Sequence, residues 1–238
     1  MILPTLRASF GRRDALHLVR LMGGGDTDLT ESAQHRLEED GLDALLDDPR
    51  ARNALLTDPR TSASPELIFY VLVRQALLEG GLEDRDLADY VATLLLQFGQ
   101  KRTAYRAADA DEAEYHYLVD IRLKIQRSEG RERFLLVSHL GNYALWLSGV
   151  FPHYLEERER RKGAPSLGYY EKMGAGGFLE AADHAEANNL GLEEIFQSVG
   201  NHFRGVRVAL NRISDRVMWP RKGDPVARLL REVEQGLP

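Results

Sequence analysis

The chain has 238 residues, of which 43% are hydrophobic and 29% charged, and its formal net charge is −6. This composition is typical of an ordinary globular protein with one well-buried domain or two small ones, not of a disordered chain. The acidic balance argues against general binding of nucleic acid. Because the chain has no cysteine, disulfides, thiolate zinc sites and cysteine-bound iron–sulfur clusters are excluded.

The beginning of the chain, MILPTLRASFGRRD, lacks the apolar core of a signal peptide. A cytoplasmic location is therefore expected. Only five of the 31 basic residues are lysine, which favours a bacterial source with a GC-rich genome.

Residues 1–60 are predicted to form a small helical N-terminal arm. A short amphipathic helix ends at Gly23–Gly25, and a second helix begins at Asp28. The segment Ala44–Arg50 recurs ten residues later as Ala54–Arg60. Each copy is predicted to be a helical turn that ends at Asp-Pro, where Asp caps and Pro begins the next segment. Two short copies are too few for a repeat protein.

Residues 64–238 are predicted to form the main helical bundle, after a linker at 61–64. Apolar residues recur at helical spacing in residues 84–98 and again over one long helix at 192–217. A further helix is predicted from Asp109 to about residue 127, with a capping box at its start. No segment alternates as a strand would, so the sequence predicts an all-α protein of nine or ten helices.

Glycines are expected to have two roles in this bundle. Gly200 and Gly205 lie inside the long predicted helix, where they would let another helix approach closely. The segment MGAGGF at 173–178 follows a short predicted helix over residues 169–173. Because phosphate-binding loops follow a strand, this segment is predicted to be a glycine-rich junction between helices.

The stretch Phe134–Leu155 contains no Asp, Glu, Lys or Arg. A helix of this length could cross a hydrocarbon layer of about 30 Å. Its buried imidazole and amide groups argue instead for burial in protein. The sequence therefore predicts an irregular multi-helix bundle around a buried central helix at about 134–151, with residues 1–60 packed against the bundle as an arm.

One stripe of the central helix is polar: it carries His139, Asn142 and Trp146, and would reach His153 if the helix continued past Pro152. Neighbouring helices could supply partners for these groups, in which case the stripe only fixes the core. Otherwise it lines a cavity that holds a ligand. The candidate ligand-binding residues are His139, Asn142, Tyr143, Trp146, His153, Tyr169 and Tyr170.

Metal or haem binding is the alternative chemistry. Glu-x-x-x-His occurs at residues 31/35, 112/116 and 180/184, with Asp120 one turn beyond the second pair. The spacings that are diagnostic of metal sites are absent, so no metal or cofactor is identified. A metal- or haem-dependent helical enzyme would use histidines from the set His116, His139, His153 and His184.

Residues 204–222 contain six basic residues and one acidic residue. Arg204, Arg207, Arg212 and Arg216 are therefore candidates for binding an anion or a protein partner. The acidic arm itself, a second copy of the chain or a separate protein could supply the negative charge; nucleic acid is disfavoured. The acidic residues of the arm are Glu38, Glu39, Asp40, Asp43, Asp47 and Asp48.

No motif for nucleophilic catalysis is present, and no catalytic residue is assigned. The sequence favours a cytoplasmic, non-catalytic helical module that binds a small molecule or a protein. The metal- or haem-dependent enzyme remains the competing hypothesis.

Overall fold

A computed structural model describes residues 1–57, 62–99, 103–107 and 114–218, with side chains described as far as residue 215. Within these ranges the chain forms fourteen α-helices, one short 3-10 turn at Thr103–Tyr105 and no strand. The predicted all-α fold is confirmed. The helices are α1 (Leu6–Ser9), α2 (Arg12–Gly23), α3 (Thr27–Asp40), α4 (Leu42–Leu46), α5 (Pro49–Thr57), α6 (Pro65–Leu78), α7 (Arg85–Phe98), α8 (Leu118–Ile125), α9 (Gly130–Val150), α10 (Pro152–Lys162), α11 (Leu167–Ala182), α12 (Ala185–Asn189), α13 (Glu193–Asn201) and α14 (Phe203–Met218).

The central helix is α9, which begins four residues before the predicted start. It packs against α7, α8, α11 and α14, and every residue from 136 to 152 is buried. This burial explains why the segment lacks charged residues, since an unpaired charge inside a protein is costly. The prediction of a bundle around a buried central helix is confirmed.

The end of α9 is set by Pro152, which begins α10. Proline has no backbone N–H and disfavours helical geometry in the residue before it, here Phe151 at φ −123° and ψ 48°. Between Val150 and Pro152 the helix axis turns by 91°. Among the described residues no single helix has the length and apolarity to span a membrane, and α9 with α10 meets that criterion only as this bent pair.

Two side chains of α14 hydrogen-bond to the last carbonyls of α9. Asn211 Nδ2 donates to the oxygens of Ser148 and Gly149 at 2.9 and 2.6 Å. Ser214 Oγ donates to the oxygen of Val150 at 2.6 Å. The carbonyls that the helix end leaves without helical partners are therefore satisfied inside the protein.

The predicted junction at MGAGGF is wrong, because α11 continues through it from Leu167 to Ala182. Two of its glycines, Gly174 and Gly177, lie where α11 crosses α9. A Cβ atom on Gly177 would lie 2.9 Å from Gly141 N and 3.0 Å from Val137 O. The aromatic ring of Phe178 covers Gly141 on the same contact. A side chain at Gly177 would therefore push the two backbones apart, and one at Gly141 would displace the ring of Phe178.

The long helix predicted at 192–217 is also wrong, since it is divided into α13 and α14 at His202. The two halves have different neighbours: α13 packs on α11 and α7, and α14 packs on α9 and α6. A close approach occurs at Gly200, where a Cβ would lie 2.8 Å from the side chain of Leu179. At Gly205 the nearest such contact, to Leu82, is 3.4 Å.

The N-terminal arm packs mainly against α6 and α7. Its hydrophobic residues belong to the same contiguous core as those of the bundle. Asp47 accepts hydrogen bonds from the buried Arg74 of α6 at 2.6 and 3.0 Å and from Arg85 of α7 at 2.7 Å. Asp43 pairs with Arg7. Charged contacts therefore attach α4 to the two helices that follow the arm.

The helix expected from Asp109 begins only at Leu118 in the described residues. Before it, Tyr115 N donates to Tyr105 O at 2.7 Å, which brings the two ends of the intervening segment together. The capping box at Asp109 and Glu112 lies outside the described residues. The sequence also predicts a terminal helix that Asp224 and Pro225 cap, and this segment lies outside them too.

Candidate functional site

A small cavity lies on the polar stripe of α9. It is enclosed by the end of α7, the segment 106–107, α9 and the first two residues of the chain, and its volume is about 30 Å³. A water molecule needs roughly 10–15 Å³ of such volume. The cavity therefore has room for two or three waters or for a ligand of a few heavy atoms. Its lining residues are Met1, Ile2, Gln97, Phe98, Arg106, Ala107, Leu135, Ser138, His139 and Asn142.

His139 is the buried imidazole of this cavity. Its side chain is 4% exposed, it stacks on Tyr143 with ring centroids 5.9 Å apart, and Phe98 and Tyr115 lie against it. Burial lowers the pKa of His139 to about 3, so the ring is neutral near pH 7. Its Nε2 atom is buried and has no hydrogen-bond partner among the described residues.

We expect acid to destabilise the wild-type fold through His139. The unfolded imidazole binds a proton below about pH 6.5, whereas the folded one does so only near its lowered pKa. Stability is therefore lost as the pH falls through this window, by ~2 kcal/mol at about pH 5. Urea unfolding at several pH values measures the effect. His139→Gln should remove this pH-dependent component of stability, whereas the exposed control His153→Gln should keep it. An unchanged dependence of stability on pH in His139→Gln would show that His139 is not its source.

Asn142 has one protein partner. The hydroxyl of Tyr90, on α7, donates to Asn142 Oδ1 at 2.6 Å, and burial raises the pKa of Tyr90, which keeps that hydroxyl protonated. The amide oxygen therefore accepts one of the two hydrogen bonds it can accept, and the N–H₂ group of Asn142 can donate to another group. A neighbouring helix thus satisfies half of this amide.

Arg106 is the lining residue that the sequence did not single out. Its Nη2 donates to Glu114 Oε1 at 3.3 Å, whereas its Nε is buried and without a hydrogen-bond partner among the described residues. Arg106 lies outside any helix, so no periodic pattern could place it beside α9. Its position comes from the path of the chain between α7 and α8.

Trp146 and Tyr143 lie on α9 but are not among the lining residues. Trp146 is 1% exposed and is surrounded by the rings of Phe98, Tyr105, Tyr143 and Phe151. Its Nε1 is buried without a partner among the described residues. The hydroxyl of Tyr143 donates to His116 O at 3.1 Å. This end of the polar stripe is packed into an aromatic core.

The three remaining candidates lie away from the cavity lining. His153 is on α10, after the bend at Pro152, and its side chain is 83% exposed near Glu156 and Asp215. Because α9 ends first, His153 does not extend the polar stripe. Tyr169 and Tyr170 are half-buried on α11, with their rings edge to face at 5.9 Å.

The three candidate arginines of α14 whose side chains are described differ in exposure. Arg207 is buried, and its Nε donates to Glu171 at 2.7 Å. Arg204 and Arg212 are exposed, and the side chain of Arg216 lies outside the described part of the chain. The acids of the arm pair elsewhere: Asp43 and Asp47 as given above, and Asp48 with Arg36 and Arg50. The expected contact between these arginines and the arm is not present in the described residues.

Two of the predicted Glu-x-x-x-His pairs can be followed in the structure. His35 lies near Glu39, and His184 caps α12 by accepting a hydrogen bond from Glu186 N at 3.2 Å. Glu180 pairs with Arg133 instead of His184. Within residues 1–57, 62–99, 103–107 and 114–218, no three His, Asp or Glu side chains form a group that could hold a metal ion.

Comparisons with protein-family models, with curated proteins and with solved structures found no match. What the chain does therefore has to be inferred from its own residues.

Proposed function

We propose that the chain is a non-catalytic helical protein that binds a small molecule in the cavity beside His139. One observation carries the proposal: His139 Nε2 and Arg106 Nε are both buried, lack partners in the described structure and belong to residues that line the same cavity. A buried polar group without a partner costs about 1–3 kcal/mol. A ligand that hydrogen-bonds both groups would recover that energy.

The arrangement around Ser138 supports binding over covalent catalysis. Ser138 precedes His139 in sequence and lines the cavity, but its hydroxyl donates to the backbone oxygen of Phe134 at 2.6 Å. A nucleophilic serine would instead donate to the base that removes its proton. His139 is thus without an adjacent nucleophile among the described lining residues.

The cavity volume limits the ligand to a few heavy atoms. A haem is far larger than 30 Å³, so a haem on His139 would require the packed rings of Phe98 and Tyr115 to move. A site for a small polar molecule needs no such rearrangement. For this reason we favour binding of a small molecule over the haem-dependent enzyme.

Binding can be tested by NMR titration with small neutral probes, for example formamide and acetamide, and with small anionic probes, for example formate and acetate. We expect saturable shifts in the backbone amide signals of the lining residues with at least one probe. His139→Phe should abolish them, and the exposed control His153→Gln should not. Ala107→Val, which adds volume at another lining residue, should weaken binding even if His139→Phe folds poorly. Absence of saturable binding for every probe would refute the proposal.

An exposed apolar face on α8 supports protein interaction as a second candidate function. Tyr117, Val119 and Leu123 are 48–51% exposed, although the same short helix buries Leu118 and Ile121. Exposed apolar side chains in one cluster are typical of surfaces that bind other proteins. Val119→Asp with Leu123→Asp should then abolish any self-association seen by sedimentation, and leave probe binding at the cavity unchanged.

A further inference from the structure

The cavity beside His139 has an uneven distribution of charge. Among its ten lining side chains, Arg106 is the one with a permanent positive charge, and none is Asp or Glu. The ammonium group of Met1, which also lines the cavity, adds positive charge and contributes to the lowered pKa of His139. The nearest described carboxylate partner of Arg106 is Glu114, which binds Nη2 at 3.3 Å and has a side chain only 25% exposed. Glu114 therefore holds the guanidinium through Nη2, and the buried Nε makes no hydrogen bond in the described part of the chain.

The hydrogen-bonding groups of the cavity are biased in the same direction. Arg106 Nε can only donate. Asn142 can donate through Nδ2, while its oxygen already accepts one hydrogen bond from Tyr90. Neutral His139 can carry its proton on Nε2, and the hydroxyl of Ser138 is already directed to Phe134 O. Arg106, Asn142 and His139 can therefore each offer an N–H donor to one ligand, and a group with two acceptor oxygens would pair with more than one of them.

We propose that the ligand is a small anion with a carboxylate-type group, held by Arg106, Asn142 and His139. This inference rests on the proposed function and specifies the chemical class of the ligand. Hydrogen bonds from a charged donor to an anionic oxygen are about twice as strong as neutral ones. The two oxygens of a carboxylate can accept from Arg106 Nε and Asn142 Nδ2 while His139 Nε2 supplies a third N–H. Formate is the smallest probe with this chemistry, and its size suits the cavity.

Formate and formamide form a matched pair of probes, because they have nearly the same shape and differ in charge. At constant ionic strength, NMR titration should show formate binding at least about tenfold more tightly than formamide, which corresponds to one charged hydrogen bond. Arg106→Gln should lower formate affinity by a similar factor and formamide affinity by less, because a neutral oxygen accepts a weaker hydrogen bond from a guanidinium than an anionic one does. Arg106→Lys should only partly restore it, since lysine lacks the Nε–H of the guanidinium. Arg204→Gln, on the exposed face of α14, is the control and should leave both affinities unchanged.

The outcomes separate this inference from the proposed function. If both probes bind equally and Arg106→Gln alters neither, the cavity binds small molecules but the anion assignment is wrong. If neither probe binds, and acetate and acetamide also fail, both proposals are wrong and the cavity holds ordered water only. Tight formate binding that Arg106→Gln leaves intact would show that another group supplies the charge, and would overturn the role of Arg106.

Discussion

Alanine in place of Gly177 is expected to lower the free energy of unfolding by about 3 kcal/mol. The added Cβ would lie 2.9 Å from Gly141 N and 3.0 Å from Val137 O, both of which are backbone atoms of α9. Backbone atoms cannot rotate away as the end of a side chain can, so α9 and α11 would have to separate. This crossing joins the central helix to one of its main neighbours, and the cost would spread to the packing around it.

Gly176 provides a matched control one residue earlier in the same helix. It is exposed, and a Cβ there would meet nothing within 4 Å. Gly176→Ala should therefore raise stability by up to ~1 kcal/mol, because alanine is the better helix former. Urea unfolding followed by far-ultraviolet circular dichroism measures both variants. Equal effects of the two substitutions would show that helix propensity, rather than the crossing with α9, controls this segment.

The same glycines show where local sequence patterns stop being informative. Glycine weakens an isolated helix, so MGAGGF was predicted to interrupt α11. The structure keeps the helix because Gly177 fits against Gly141, a residue 36 positions earlier in the chain. The break at His202 is the converse case, since an uninterrupted apolar face gave no indication that α13 and α14 pack against different helices. Both errors concern tertiary contacts, which a periodic pattern does not contain.

The central helix was predictable for a different reason. A long segment without charge in a chain that is 29% charged indicates burial whatever its neighbours are. The same pattern placed His139 and Asn142 on one face, and the structure brings both to one cavity. The pattern did not show that Trp146, on the same face, lies outside the cavity lining. Trp146 is covered by aromatic rings from α7 and from the 103–105 turn. Arg106 was missed because it lies in an irregular segment, where spacing carries no information on direction.

Methionine in place of Arg74 is expected to cost about 3–5 kcal/mol, the range found when one partner of a buried ion pair is removed. Arg74 is 3% exposed and makes two hydrogen bonds to Asp47 and one, at 2.7 Å, to Glu83 O. Burial alone would raise the pKa of Asp47, but the hydrogen bonds from Arg74 and Arg85 outweigh it and lower the pKa. Without Arg74, the carboxylate keeps its burial and loses its closest donor.

Arg85→Met is the control within the same network, because Arg85 also contacts Asp47 but has a side chain that is 46% exposed. Exposed ion pairs contribute about 0–1 kcal/mol, so this variant should unfold close to the wild type in urea. Limited proteolysis provides a second measurement, in which Arg74→Met should expose the arm to cleavage and Arg85→Met should not. The control also separates two explanations of how the arm is held. If both variants lose the same stability, the positive charge around Asp47 holds α4 in place. If only Arg74→Met loses stability, the buried, directed hydrogen bonds from α6 hold it. In that case added salt should loosen the wild-type arm little.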